Sequence, residues 1–249
     1  MLAAMYFALK ELGFTPFHGQ EFPSNPTRWF LLWKEAIDCN FYGKGTPYGR
    51  EEFDKLLAGY DAIMDFPPCL FWEDFYKAYP NVKIILTNRD PDSWLKSMQD
   101  TIFGFMQWKI WLVWRYVDRQ TTKPMLDMLT AGFNVFCNND YGSAARQAYT
   151  DHYQRVRNTI PKDQLLEFHF GDGYEPLCKF LDLPVPAKPY PHQNTSATFN
   201  GLQEKLWVSI KSTLRTGMYF GLTALCVGAG SWYLYKFKSS VFLAGFMNV

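Results

Sequence analysis

The stretch from Ile63 to Met98 constrains this chain more than any other. It reads IMDFPPCLFWEDFYKAYPNVKIILTNRDPDSWLKSM: an apolar strand ending in Asp65, a connecting helix, a second strand, and an arginine that leads into another helix. Strands that alternate with helices imply a mostly parallel sheet with helices on its faces. The second strand, Val82 to Thr87, ends in polar Asn88 and Arg89, and ligands of open α/β sheets gather at such strand ends. Asp90-Pro91-Asp92-Ser93 is a turn and helix start, because Pro suits the first helical turn and Asp or Ser can cap the free amides. Ser97 falls on the first turns of that helix. Arg89 and Ser97 can therefore converge on one anion, with a guanidinium fork, a hydroxyl donor and the positive end of a helix.

Arg89 and Ser97, straddling a strand-to-helix turn, resemble the site by which sulfotransferases hold the 3′-phosphate of 3′-phosphoadenosine 5′-phosphosulfate (PAPS). The phrase ILTNRDPDSWLKS is similar to a branch of that family common in fungi. So is LLEFHFGDGYEPLCKFLDLPVPAKPYPHQN, from Leu165 to Asn194. The resemblance runs to about Gly201. It implies an α/β fold with a three-layer, P-loop-like parallel sheet, PAPS as co-substrate, Arg89 and Ser97 as its 3′-phosphate contacts, and a small hydroxyl or amine acceptor.

The family opens with an apolar strand and a loop of the type GxGRTGTxSL, whose amides and hydroxyls cradle the phosphosulfate. This chain opens MLAAMYFALKELGF. The helix after the loop is expected, with Met5, Leu9 and Leu12 on one face and Gly13 as its stop. Leu2 and Ala4 stand where hydroxyl residues belong. Two readings are open: a truncated form of a longer sequence, or a protein that has lost the loop and serves as a noncatalytic scaffold. Removing a central strand leaves neighbouring backbone groups unpaired, which favours truncation. As written, the chain is not expected to be a competent enzyme.

A net charge of +1, without a basic stripe, argues against a nucleic-acid partner. Cys39, Cys69, Cys137, Cys178 and Cys226 have no metal-ligand spacing; reduced thiols and no metal are expected. His152, His169 and His192 show none either. Without a GxxxxGK[ST] loop, a kinase or triphosphatase is a weaker reading. Lys10 and Glu11 interrupt the first apolar run, which therefore does not read as a signal peptide.

The membrane signal lies at the other end. TGMYFGLTALCVGAGSWYLY, Thr216 to Tyr235, carries no charge and is long enough as a helix to cross a hydrocarbon core of about 30 Å. Lys211, Arg215, Lys236 and Lys238 flank it, and Tyr219, Trp232, Tyr233 and Tyr235 sit where interface anchors belong. The expected organisation is a sulfotransferase-like domain over 1–201, a connecting helix over 202–215, a transmembrane helix over 216–235 and a short tail over 236–249. A single-pass protein of this kind would keep its main domain in the cytosol.

Further helices are expected over Trp29–Asn40, Arg50–Leu57, Leu70–Ala78, Pro124–Cys137, Gly142–Thr159 and Glu175–Leu181, with an aromatic-rich helical region from Ser93 to Tyr116. Strands are expected over Ala62–Asp65 and Leu165–His169. Asp65 matches the place of the histidine base in soluble sulfotransferases, so the resemblance makes it a candidate base; it could equally cap a turn before Pro67. His18 could reach the acceptor pocket, or be a satisfied buried histidine. Arg89 has a bland alternative in a salt bridge to Asp90 or Asp92, and Ser97 in a solvated helix position. Trp108, Trp111 and Trp114 have helical spacing; they pack in a core by default, or wall a pocket, or meet a membrane surface.

Overall fold

A computed structural model describes residues 2–169, 171–191, 203–204, 207–208, 210–218, 229 and 231–232. The chain divides into Met1–Ala197 and Thr198–Val249.

The first unit begins with α1 (Leu2–Glu11), β1 (Pro16–Phe17), a 3-10 turn (Gly19–Ser24), α2 (Pro26–Tyr42), α3 (Arg50–Leu56) and β2 (Ala62–Ile63). A 3-10 turn (Pro68–Phe71), α4 (Trp72–Ala78), β3 (Ile84–Asn88) and α5 (Pro91–Met98) follow. Next come a π-helical turn (Gln99–Phe103), α6 (Gly104–Met106), α7 (Trp111–Val117), α8 (Thr122–Cys137), α9 (Ser143–Thr159), β4 (Leu165–His169) and α10 (Tyr174–Leu181).

Local chemistry sets most boundaries. Gly13, at φ +94°, ends the turn after α1, a backbone state that glycine adopts freely. Pro26 opens α2 while the Asn25 side chain accepts from the Arg28 amide at 3.3 Å, so a proline start and a side-chain cap coincide. Asp90 does the same for α5, accepting from the Ser93 amide at 2.8 Å.

β3 and β4 are parallel, in register from Ile84 opposite Leu165 to Asn88 opposite His169. Their side chains alternate between two cores, as strand geometry requires. Ile85 and Leu166 pack with Met5, Leu9, Phe168, Leu177 and Cys178, under α1 and α10. Leu86 packs on the opposite side with Val156 and Ile160 of the α9 region, joined by Ile84, Leu165, Trp72 and Tyr153. Ala62 and Met64 join the first core. The β3–β4 pair is thus covered on both faces, within a mostly helical α/β fold. Among the described residues a single sheet is not formed: β1 pairs with β2, parallel and through two residues each, and β3 pairs with β4.

Two expected elements change. The strand at Ala62–Asp65 ends at Ile63, because Asp65 takes φ +75° and turns the chain, although the Met64 amide still reaches the Phe17 carbonyl at 3.0 Å. The helical region from Ser93 to Tyr116 is interrupted. At the π-helical turn Gly104 lies so close to the preceding turn that a β-carbon would come within 2.6 Å of the Gln99 carbonyl oxygen, and the helix opens after Met106.

In the second unit residues 210–218 are helical. Most of 216–235, the tail over 236–249 and the motif end from His192 to Asn194 lie outside the described residues. Among the described residues no helix is long and apolar enough to cross a membrane.

Candidate functional site

β1 and β2 are neighbours, so the residues just past their ends meet. The Nε2 of His18 lies 3.5 Å from Oδ2 of Asp65, with the His18 side chain 8% and the Asp65 side chain 30% exposed. His18 Nδ1 accepts from the Gln20 amide at 3.1 Å, which in the neutral ring leaves the proton on Nε2, facing the carboxylate. The Gly19 amide also donates to Asp65 Oδ2, at 3.2 Å. A β-carbon on Gly19 would sit 2.7 Å from the same oxygen, so a larger residue here would require the carboxylate to shift. One carboxylate oxygen is thus held by the protein, and no hydrogen bond from a described residue reaches the other, Oδ1.

The surroundings fix this pair from both sides. The Tyr6 ring packs on His18, centroids 5.1 Å apart. Phe66, next to Asp65, stacks on Phe133 at 4.2 Å and 10° and fills the place a side chain on Gly132 would need, 2.5 Å from its ring. Asp65 also closes a turn, its carbonyl accepting from the Cys69 amide at 3.0 Å. The candidate base and the turn-forming residue are one and the same.

Arg89 follows β3, and its side chain is exposed without a hydrogen bond or ion pair to any described residue. The two carboxylates that sequence places beside it are engaged elsewhere. Asp90 caps α5, and Asp92 is held by Arg146 of α9 through Nε at 2.5 Å and Nη2 at 3.2 Å. That guanidinium keeps the Asp92 carboxyl below the ordinary carboxylate range. Ser97 is half-buried on α5; its carbonyl accepts from the Thr101 hydroxyl at 2.6 Å, and its own hydroxyl has no hydrogen bond to a described residue.

The turn carrying Arg89 is braced from α9. Tyr149 donates to the Arg89 carbonyl at 3.0 Å and Tyr153 to the Thr87 carbonyl at 2.6 Å. Burial pushes both phenols upward. Trp94 of α5 stacks on Tyr149 at 4.4 Å and 22°. Sequence reasoning missed these two tyrosines; their signal was i, i+4 spacing on a helix that must cover the β3–β4 face.

The other candidates resolve plainly. His152 is half-buried against Trp72 and Tyr153, and burial pushes it down to about 4. His169 stands 3.6 Å from Asp172. Among the described residues no three His, Cys, Asp or Glu side chains are grouped to hold a metal ion. Trp111 and Trp114 are buried, and Trp111 donates to the Phe105 carbonyl at 2.6 Å. A cavity of about 390 Å³ is lined by Tyr6, Lys10, Glu21, Arg28, Trp29 and Tyr60 among others. Neither Asp65 nor Arg89 lines it.

A parallel strand pair ending in a His–Asp contact, and a second ending in an uncommitted arginine before a capped helix, place polar and charged groups at the strand ends of an α/β domain. The sulfotransferase domain family matches residues 3–199. The protein called Ava biosynthesis cluster protein M, from Aspergillus versicolor, is 37% identical over 239 residues, covering 93% of this chain and 91% of its own length. The chain belongs to the sulfotransferase family.

Proposed function

We propose that this protein binds PAPS and directs its sulfuryl group to a hydroxyl or amine of a small acceptor. The observation that carries the reading is Arg89: an exposed guanidinium at a strand end, eight residues before a free hydroxyl on a helix, with Asp90 and Asp92 both occupied. That arrangement fits a phosphate, whose oxygens accept from guanidinium, hydroxyl and helix amides together. PAPS, when bound, supplies an activated sulfuryl group on a phosphate leaving group.

The residues of the chain would then do three things. Arg89 and Ser97 hold the 3′-phosphate. Asp65 accepts the acceptor proton on Oδ1, as the acceptor oxygen or nitrogen bonds to sulfur and the bond from sulfur to the bridging oxygen breaks. His18 and the Gly19 amide hold the other oxygen, so the base presents one fixed face.

A second reading, a noncatalytic nucleotide-binding protein, is favoured by one observation. The first turn of α1 is Leu2, Ala3, Ala4 and Met5, side chains that offer no donor to the phosphosulfate end. We also propose that 216–235, charge-free between basic flanks, anchors the protein in a membrane with its main domain in the cytosol.

Calorimetry of adenosine 3′,5′-bisphosphate with the full chain tests the reading. Binding that Arg89→Ala weakens by about tenfold or more supports the site. Absence of binding by the folded protein overturns it. Binding without sulfuryl transfer to any acceptor in a broad phenol, alcohol and amine panel favours the noncatalytic reading.

A further inference from the structure

Helix α7 presents its apolar surface on both sides. Trp111 and Trp114 point into the domain, 5% and 6% exposed, whereas Leu112, Val113, Tyr116 and Val117 are 74%, 59%, 71% and 55% exposed. Positions i, i+1, i+4 and i+5 fall within one arc of a helix, so these four side chains form one outward ridge. Single exposed apolar residues are ordinary, but a contiguous ridge marks an interaction surface.

Charge at the ridge is one-sided. Lys109 before the helix and Arg119 after it are exposed, and neither is ion-paired with a described residue. Arg115 and Lys123 both pair with Asp127. Asp118 is turned inward to cap α8, accepting from the Thr121 and Thr122 amides at 3.0 Å and from the Thr122 hydroxyl at 2.7 Å. Acids are therefore spent internally while cations frame an apolar edge. That pattern suits a bilayer with anionic headgroups, where aliphatic side chains enter the acyl boundary, Tyr sits at headgroup depth and cations meet phosphate.

An independent feature points to the same partner. The charge-free run from Thr216 to Tyr235 is long enough to span a bilayer, and a chain held by it would keep its domain at a membrane surface. We infer that the outer face of α7 docks shallowly on an anionic phospholipid bilayer, as a contact separate from that segment. The inference goes beyond sulfuryl transfer and does not depend on it.

The test places an environment-sensitive NBD label on Tyr116→Cys in a Cys69→Ser, Cys226→Ser background of the full chain. The same label on Lys55→Cys of α3, whose side chain is 71% exposed, is the control. Vesicles contain phosphatidylcholine with about one-fifth phosphatidylserine, or phosphatidylcholine alone. With phosphatidylserine, the label at 116 is expected to shift to the blue by about 10 nm or more and to be quenched by doxyl-labelled lipid, while the label at 55 stays as in water. Leu112→Glu with Val113→Glu should abolish the shift at 116 while far-ultraviolet circular dichroism stays unchanged. A water-like label at 116 on vesicles that retain the protein overturns the inference. So does an equal shift without phosphatidylserine, which removes the anionic partner. A shift that grows with protein concentration in the absence of vesicles also overturns it, in favour of a second copy. Because the readout is local to α7, failure of the C-terminal anchor appears separately, as loss of vesicle retention in carbonate wash.

Discussion

Arg146 grips Asp92 through two nitrogens, at 2.5 and 3.2 Å, and so ties the first turn of α5 to α9. The same pair removes a competing carboxylate from Arg89. A guanidinium next to two aspartates in sequence would ordinarily spend its charge on one of them. Here capping takes Asp90 and Arg146 takes Asp92, and Arg89 stays available.

Arg89→Ala is expected to weaken adenosine 3′,5′-bisphosphate binding by about 10- to 100-fold, the range for a lost hydrogen bond to a charged group. Ser97→Ala should cost only about 3- to 10-fold, because a neutral donor contributes less. Calorimetry gives both numbers. The reverse ranking would remove Arg89 as the principal phosphate contact.

Tyr149→Phe and Tyr153→Phe test the bracing of that turn. Each deletes one hydroxyl, to the Arg89 and Thr87 carbonyls respectively, and leaves the stacked rings in place. Each should lower unfolding free energy by about 1 kcal/mol in urea titrations. Tyr149→Phe should also weaken bisphosphate binding a few-fold, whereas Tyr153→Phe should leave it nearly unchanged because its partner carbonyl lies farther back on the strand.

Much of this was legible in sequence because it is local. Ile84 to Leu86 alternate between two cores, Asp90-Pro91 starts a helix, and Asn25-Pro26 starts another; each depends on neighbours within a few residues. The His18–Asp65 contact was not legible as a contact. Both residues were candidates, but only the pairing of β1 with β2 brings their ends together. The interrupted sheet was hidden for a related reason: hydrogen bonding between distant strands leaves no periodic trace. The segment around α7 misled in a different way. Apolar residues surround that helix, so periodicity could not say which would face outward, and the tryptophans turned in while Leu112 and Tyr116 turned out.

Gly19→Ala is a prediction about close approach. The added methyl would meet Asp65 Oδ2 at 2.7 Å, so the carboxylate must leave its place beside His18. The expected cost is small, below about 1 kcal/mol, because the clashing atom is the end of a part-exposed side chain that can rotate away; it is read as a slightly lowered urea midpoint. Adding Asp65→Ala to Gly19→Ala should recover part of that loss, since the clashing oxygen is gone. A Gly19→Ala chain as stable as the parent would mean that the carboxylate can move without penalty.

His152 gives a pH dependence with a defined sign. Burial lowers it from 6.5 to about 4, so between those values the unfolded chain binds a proton that the folded chain does not. Stability therefore falls as pH drops from about 6.5 toward 4, and this contribution levels off below that. Carboxylates whose values are depressed in the fold, such as Asp92 beside Arg146 and Glu167 beside Arg157, act at lower pH, because their contribution is complete above the unfolded carboxylate range. The His152 share is about 1 to 3 kcal/mol between pH 7.5 and 4.5. Urea titrations at both pH values, on the parent chain and on His152→Phe, isolate it. The variant keeps an aromatic ring against Trp72 and should lose less stability on acidification than the parent does. An equal loss in both would show that His152 takes up its proton without unfolding.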